Sequence, residues 1–391
     1  MSNSTKTAQH GLSEHSHGFG VPIQTRSERL KSTSLNDFPE ISTREEQWRY
    51  IQADRLGGLD KSGLDEFSGD IVSELADGVE TSWIEPGHEL FGQGGVPEDR
   101  IAAAGWEAAR AAFLISVPKS VNSAALSTIS IKSISKEASA LHIIIHAKSG
   151  SDSIVVIDHS GDATLSENLE IIVEDQAKLT VVSIQDWSEG SIHNGAQYAR
   201  LGRNAELKHI CVSLGGSVVR MTPSISFAGP GSDAAMYGLY FADSNQYLEH
   251  RVFVDHATPN CKSRVTYKGA LQGQKAHTVW VGDVLIRAAA EGTDTYELNR
   301  NLLLTDGARA DSVPNLEIET GQIQGAGHAS ASGRFDDEQL FYLQARGLTA
   351  LEARKLVVRG FLLEIVQQIG VTELEERLAN SIEQELQRSS N

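Results

Sequence analysis

The sequence predicts a mainly β protein: a β-helix over residues 113–335, between an N-terminal helical region (41–112) and a C-terminal helical region (336–391), with a disordered tail at 1–40. Three observations predict it. First, helical periodicity gives way near Phe113 to alternating short runs such as LSTISIKSIS, LHIIIHAKSG, SIVVIDHSG and LTVVSIQDW, punctuated by Gly, Ser, Asp and Asn. Second, EDQAKLTVVSI, GRNAELKHICV, PGSDAAMYGLY and TPNCKSRVTYK each place a turn before a strand. Their equivalent positions Ala177, Ala205, Asp233 and Cys261 lie 28 residues apart. QKAHTVWVGDVLI and DGARADSVPNLEI look like further copies with altered spacing. A constant period belongs to a solenoid whose coils stack, whereas a β-sandwich has no reason to repeat so regularly. Third, helix start and stop signals cluster on either side of the strand region.

In chain order, the tail is rich in Ser, Thr, Gly, His and Lys without apolar periodicity. Its His10, His15 and His17 either chelate a stray metal or do nothing, as short His-bearing tails do. Thr43 to Glu46 reads as a capping box entering the helix EEQWRYIQADRL, which Gly57-Gly58 closes. A second helix is expected from Pro97 through EDRIAAAGWEAARAAF. Trp48, Trp83 and Trp106 are assigned to the core of this region. The β-helix follows, filled by stacked Ile, Val and Leu and turned at its corners by Gly, Asn and Asp. Its open ends and edges need covering, and the flanking helical regions are the candidates. Beyond Phe335, Asp336 starts one helix, Thr349 with Glu352 caps a second, and Thr372 with Glu375 caps a third. Gly347 and Gly370 stop the first two. The middle helix carries more apolar surface than one stripe, and is either a docking face or a helix buried between the other two.

Composition narrows the function. With 391 residues, the chain exceeds what one core fills. A formal net charge of -18 repels phosphate backbones and anionic lipid, so neither nucleic acid nor a membrane surface is an expected partner. No apolar run is long enough to span a membrane, no apolar signal core opens the chain, and a cytoplasmic location is expected. Two cysteines, Cys211 and Cys261, cannot form a disulfide framework or a thiolate cage; both fit small buried residues of a solenoid. There is no Walker-type loop, G-x-S-x-G elbow, C-x-x-C or H-E-x-x-H, so the chain is not expected to be an enzyme that hydrolyses ATP itself.

Five histidines carry candidate chemistry without fixing it. His142 and His146 stand ~13 Å apart along one strand face, too far to share an ion, and read as solvent-side residues. His250 and His256, with Glu249 and Asp255, read as a paired strand face. His328 differs, because GAGHASASG offers no bulky neighbour and no core face. It is either a ligand or proton carrier completed by another chain, or a turn histidine of no consequence.

From Tyr247 to Ile369 the chain resembles the SufB/SufD family of iron–sulfur cluster assembly proteins. The resemblance is carried by HRVFVDHATP, SRVTYKGAL, NRNLLLTDGARADSVPNLEI, GHAS, DDEQLFYLQARGL and EARKLVVRGFLLEIV, with EEQWRY and VPKSV upstream. SufB-type chains have a cysteine where Ala308 stands and a glutamate where Ala329 stands, so the chain resembles the SufD type. Many SufD sequences also have cysteine at the position of Ala326, which leaves His328 as the ligand-type residue at the matched site.

The resemblance implies a right-handed parallel β-helix that pairs with SufB through the β-helix ends, and docking of the SufC ABC-type ATPase through the C-terminal helices. Phe341, Tyr342, Arg346, Gly347 and Phe361 are the docking candidates. It further implies a transient iron–sulfur cluster at the SufB interface to which His328 contributes, ATP hydrolysis by SufC, no cofactor held by this chain alone, reduced flavin within the complex, and a homodimer in isolation. Rival readings are a purely structural scaffold, or a carbohydrate-active β-helix enzyme, which would want paired carboxylates in a groove.

Overall fold

The computed structural model describes residues 29–119, 125–335 and 337–388. The chain is mainly β, a parallel solenoid of two walls. Three short strands come first, β1 (Asp65–Glu66), β2 (Asp70–Glu74) and β3 (Glu80–Ile84), then helix α1 (Arg100–Ala108) and β4 (Ala112–Val117). Two long strands, β5 (Ala125–Ala147) and β6 (Asp152–Val173), each turn a corner and serve both walls. Thereafter strands alternate between walls. The first wall continues with β7 (Lys178–Trp187), β9 (Glu206–Ser213), β11 (Asp233–Ala242), β13 (Lys262–Leu271), β15 (Asp294–Leu303) and β17 (Gly325–Arg334). The second takes β8 (Ile192–Leu201), β10 (Val218–Phe227), β12 (Tyr247–His256), β14 (His277–Ile286) and β16 (Arg309–Ile318).

A column of left-handed residues sets the register of the first wall. Gly150, Gln176, Asn204, Gly231, Asn260 and Gly292 all have positive φ, and each stands two positions before its strand. The strand-opening residues Lys178, Glu206, Asp233, Lys262 and Asp294 therefore stack, in steps of 28, 27, 29 and 32 residues. The period is not constant. Asp233 is exposed and aligns with Glu206 and Lys262; Ser232, 1% exposed, takes the buried position shared by Ala177, Ala205 and Cys261. The two runs with altered spacing, around His277 and Arg309, stack on each other in the second wall.

Helices cover the outer faces of the walls, not the ends of the solenoid. On the first wall, Val182, Ile184, Ile210, Val212, Leu239 and Phe241 pack against α3 (Ala350–Val366) and α4 (Thr372–Arg388). Val358, Leu362, Ile365 and Val366 are the buried side of α3, each contributing about 1.5–3 kcal/mol. Lys268 pins α3 to β13: its ammonium donates to the Phe361 carbonyl at 3.1 Å and pairs with Glu364. Helix α4 reaches the wall as well, where Gln272 donates to the Glu385 carbonyl at 3.1 Å and Arg377 pairs with Asp158 at 2.7 Å, while Leu351 and Leu356 of α3 remain exposed. The Thr349–Glu352 capping box forms as read. The third differs, since Thr372 is already helical and Glu375 accepts from the Gly370 N–H. Asp336 lies outside the described residues.

Residues 41–112 are a mixed segment instead of a helical one. EEQWRYIQADRL forms two 3-10 turns, Glu46–Trp48 and Ala53–Leu56, neither with a side-chain cap at its start. The second helix runs only from Arg100 to Ala108, with Asp99 accepting from the Ala102 N–H at 2.8 Å. This segment lies on the second wall because small residues allow close approach: a Cβ on Gly105 would fall 2.4 Å from Ser166 Oγ. Trp48 is buried under the Arg220 guanidinium, 4.1 Å away, and Arg220 donates to Asp99 at 2.6 Å. Trp106 is half-buried against His142, whereas Trp83 is 55% exposed and outside the core. Of the expected tail, residues 29–40 are packed, with Leu35 and Phe38 buried and Arg29 paired to Glu98 and Asp283. His10, His15 and His17 lie outside the described residues.

The interior is not uniformly apolar. Tyr267 lies over Gly238 and Tyr240 over Gly269, reciprocally across one pair of coils, where an added Cβ would meet either ring at 1.9 Å. Gly238→Ala or Gly269→Ala is expected to lower stability by about 1–3 kcal/mol through overpacking, read as a lower denaturant midpoint. A midpoint equal to wild type would mean that the rings are free to move.

Candidate functional site

The walls are covered, but the C-terminal end of the solenoid is open. β16 and β17 have no further coil stacked on them among the described residues. Alternation along β17 puts Ala326, His328, Ser330 and Ser332 on the row that faces the interior, in register with Thr295, Glu297, Asn299 and Asn301 of β15. On β16 the matching row holds Ser312 and Pro314, above Trp280 and Gly282. Because no coil follows, His328 is exposed although it stands on an interior row.

Behind this end runs a hydrogen-bonded polar core. Asn301 donates to Ser312 and Ser332 on the two end strands, at 3.1 and 3.2 Å, and to Asn299 at 2.8 Å. Asn299 reaches the Tyr240 hydroxyl, which in turn donates to Asn301 at 2.7 Å. Tyr240 stacks on His250, and His250 meets Ser213 at 3.1 Å. Burial lowers the pKa of His250 to about 3, so it is a neutral imidazole. The amides and hydroxyls at the inner end of this network thus fix the end strands from below.

Glu297 is the exception. It is 1% exposed, and neither carboxylate oxygen has a hydrogen-bond partner. Burial, reinforced by the Asp283 charge, raises its pKa to about 8. Sequence alternation concealed it. In DTYELNRNLL the polar row is the interior one, and Leu298 and Leu302 stand on the outer side. In strands covered on both faces, polarity no longer reports which side meets water.

The other candidates fall elsewhere. His142 is fully buried and bonds Glu170 at 3.0 Å, and Glu170 also accepts from the Gly92 and Gly94 N–H groups. His146 pairs with Glu174 at 2.7 Å, with its side chain 14% exposed. Neither is a free solvent-side residue, because the 41–112 segment covers this wall. His250 and His256 are also buried inside, so the expected paired strand face splits: Glu249 and Asp255 point outward, to Arg251 and Arg287. Cys211 and Cys261 are buried, as read, and burial pushes the Cys211 thiol up. Sequence reading missed a buried trio, His159, Glu167 and His193, whose ligand atoms lie within 4.8 Å of one another. His159 pairs with Glu167 at 2.7 Å and with the Ile184 carbonyl, and Trp187 donates to His193 Nδ1. Glu167 Oε1 and His193 Nε2 are left without partners, and all three residues are buried deep in the core.

On helix α2 (Asp337–Ala345), Phe341 is 74% and Tyr342 57% exposed. Arg346 donates to the Tyr342 hydroxyl at 2.9 Å, and Gly347 ends the helix with φ +96°. These four form one exposed face. Phe361 is separate from it, partly buried with Lys268 4.8 Å above its ring.

Residues 129–361 match the family model for the SufBD core domain of SUF-system iron–sulfur cluster assembly. The chain belongs to the SufBD family. It is 49% identical over 370 residues to an iron–sulfur cluster assembly SufBD family protein of Mycobacterium tuberculosis, covering 93% of each chain. A counterpart from Mycobacterium leprae is 50% identical over 377 residues, covering 94% of this chain and 96% of its own. A second SufBD family protein of M. tuberculosis is 28% identical over 211 residues, 54% of this chain and 25% of that one.

The orphaned carboxyl makes a pH prediction. A folded pKa of about 8 against an ordinary 4.5 means that the folded state holds more protons between those values, so this group costs stability as pH rises through them. Glu297→Gln is expected to melt higher than wild type at pH 8.5, by at least about 2 °C, with the difference shrinking at pH 5. A difference that does not change with pH would assign Glu297 an ordinary pKa.

Proposed function

We propose that this chain is a SufD-type subunit of a SufB–SufC–SufD complex, and that its open solenoid end is the half of the cluster-assembly site that it contributes. The observation that carries this reading is the uncovered end coil, where an exposed imidazole stands on an interior row otherwise made of Ala and Ser. Unpaired strand edges and small side chains suit a second solenoid that closes over them. Ala308 and Ala329 stand where SufB-type chains carry cysteine and glutamate, so the thiolate comes from the partner. M. tuberculosis has two SufBD family proteins of very different likeness to this chain, in keeping with a family that works as unlike pairs.

The chain's own chemistry is positioning. His328 holds an iron ion or nascent cluster as cargo, at the boundary with the partner, and Asn299 and Asn301 keep its strand in place. The exposed Phe341–Tyr342–Arg346–Gly347 face of α2 is the docking surface for the SufC ATPase, with Phe361 and Lys268 holding α3 as its base. β17 ends at Arg334 and α2 begins at Asp337, so movement of the ATPase reaches the site through a very short connection. The chain is not itself an enzyme, and the complex works in the cytoplasm.

His328→Ala is expected to leave co-purification with both partners intact, yet slow cluster formation in the reconstituted complex at least tenfold or so. A normal rate would make the chain a scaffold without a ligand. Phe341→Ala with Tyr342→Ala is expected to weaken ATPase binding by about tenfold or more, measured by calorimetry; unaltered affinity would place the docking surface on another helix.

A further inference from the structure

We propose that Glu297 is this chain's second ligand at the open end, forming with His328 a carboxylate–imidazole pair that binds a divalent cation, iron(II) as cargo. The inference rests on the reading of the open end as the assembly site. His328 and Glu297 are register partners on adjacent parallel strands, on the same interior-facing row. Such neighbours stand about 4.8 Å apart along the ladder. That spacing suits a shared ion held about 2.0–2.2 Å from a histidine nitrogen and a carboxylate oxygen. The exposed imidazole stands at the open end, and the buried carboxylate belongs to the coil directly below it.

Nothing structural accounts for a glutamate at this point. Its other neighbour along the ladder is Val265, an apolar core residue. Both its oxygens are buried without partners, whereas buried polar groups in proteins are as a rule hydrogen-bonded. The space for it is built in. A Cβ on Gly282 would lie 2.7 Å from Glu297 Oε1 and 2.4 Å from the Trp280 ring, so the glycine keeps a cradle open across the interior. Trp280 Nε1 and the Tyr267 hydroxyl, buried in the same interior, also lack partners. The remaining polar core beneath the end strands is satisfied by Asn299, Asn301 and Tyr240. Carboxylate and imidazole together suit iron(II), whose open coordination positions are left for the partner's ligands.

The test uses the full-length chain with His10, His15 and His17 replaced by alanine in every form, titrated without oxygen with cobalt(II) as a spectroscopic stand-in for iron(II). Ligand-field bands and calorimetry report binding, and far-UV circular dichroism with a melt reports the fold. The proposal expects Glu297→Gln and His328→Ala each to weaken cobalt binding about tenfold or more with the fold intact, and Glu297→Gln to alter the ligand-field bands. Glu297→Asp should retain part of the affinity. Wild-type affinity and spectrum in Glu297→Gln overturn the proposal, and so does absence of binding by the parent chain at millimolar cobalt. If Glu297→Gln binds as the parent does while His328→Ala does not, the pair is wrong and the open end stands; if neither substitution matters, both fall.

Discussion

The column of left-handed corner residues is the constraint on which the rest of this molecule depends. Six successive coils turn with positive φ two positions before their first-wall strand, at Gly150, Gln176, Asn204, Gly231, Asn260 and Gly292, and the coil that leads into β17 does without one. Once that corner is fixed, so is the parallel register, and with it the division of each strand into an interior and an outer row. A slip of one residue would exchange those rows along the whole strand. β17 continues the parallel register of β15, which places His328 directly beyond Glu297 and Ser332 beyond Asn301.

The same constraint separates the roles of the faces. Both walls present outer rows of aliphatic side chains, and the chain's own two ends fold back to cover them: 41–112 on one wall, α3 and α4 on the other. Strands covered on both sides bury polar residues too: in β12 all ten residues are buried, Glu249, His250, Arg251, Asp255 and His256 among them. The covering segments are consumed by this task and leave the end coil bare. Buried Arg220, stacked on Trp48 and bonded to Asp99, shows how firmly the N-terminal segment is tied to its wall. The pin from Lys268 to α3 does the same on the other side. An open end next to two fixed walls is a surface of defined shape, as pairing with another solenoid requires.

The solenoid, its approximate repeat and the C-terminal caps at Thr349, Gly347 and Gly370 were legible in the sequence because each rests on local chemistry. The N-terminal segment was not. Its helical pattern around Trp48 yields to two short turns, since those residues serve the wall before they serve a helix. The interior chemistry was hidden for a different reason. Alternation shows that two rows exist, but with both rows covered it does not say which is inside, so His142, His250 and Glu297 were misjudged or missed. His328 stood out only because its neighbours are small. Phe361, grouped with the exposed face of α2 by the family resemblance, packs instead against the wall.

The fold is complete on its flanks and bare at its C-terminal end, where the proposed pairing would add the next strands. Amide hydrogen exchange across Arg309–Ile318 and Gly325–Arg334, with and without the SufB-type partner, tests this most directly. The account predicts fast exchange at the free edges of these strands in the isolated chain and marked protection on pairing, with little change in β7 to β11. Equal exchange in the two states, or protection confined to the helix-covered walls, would contradict it.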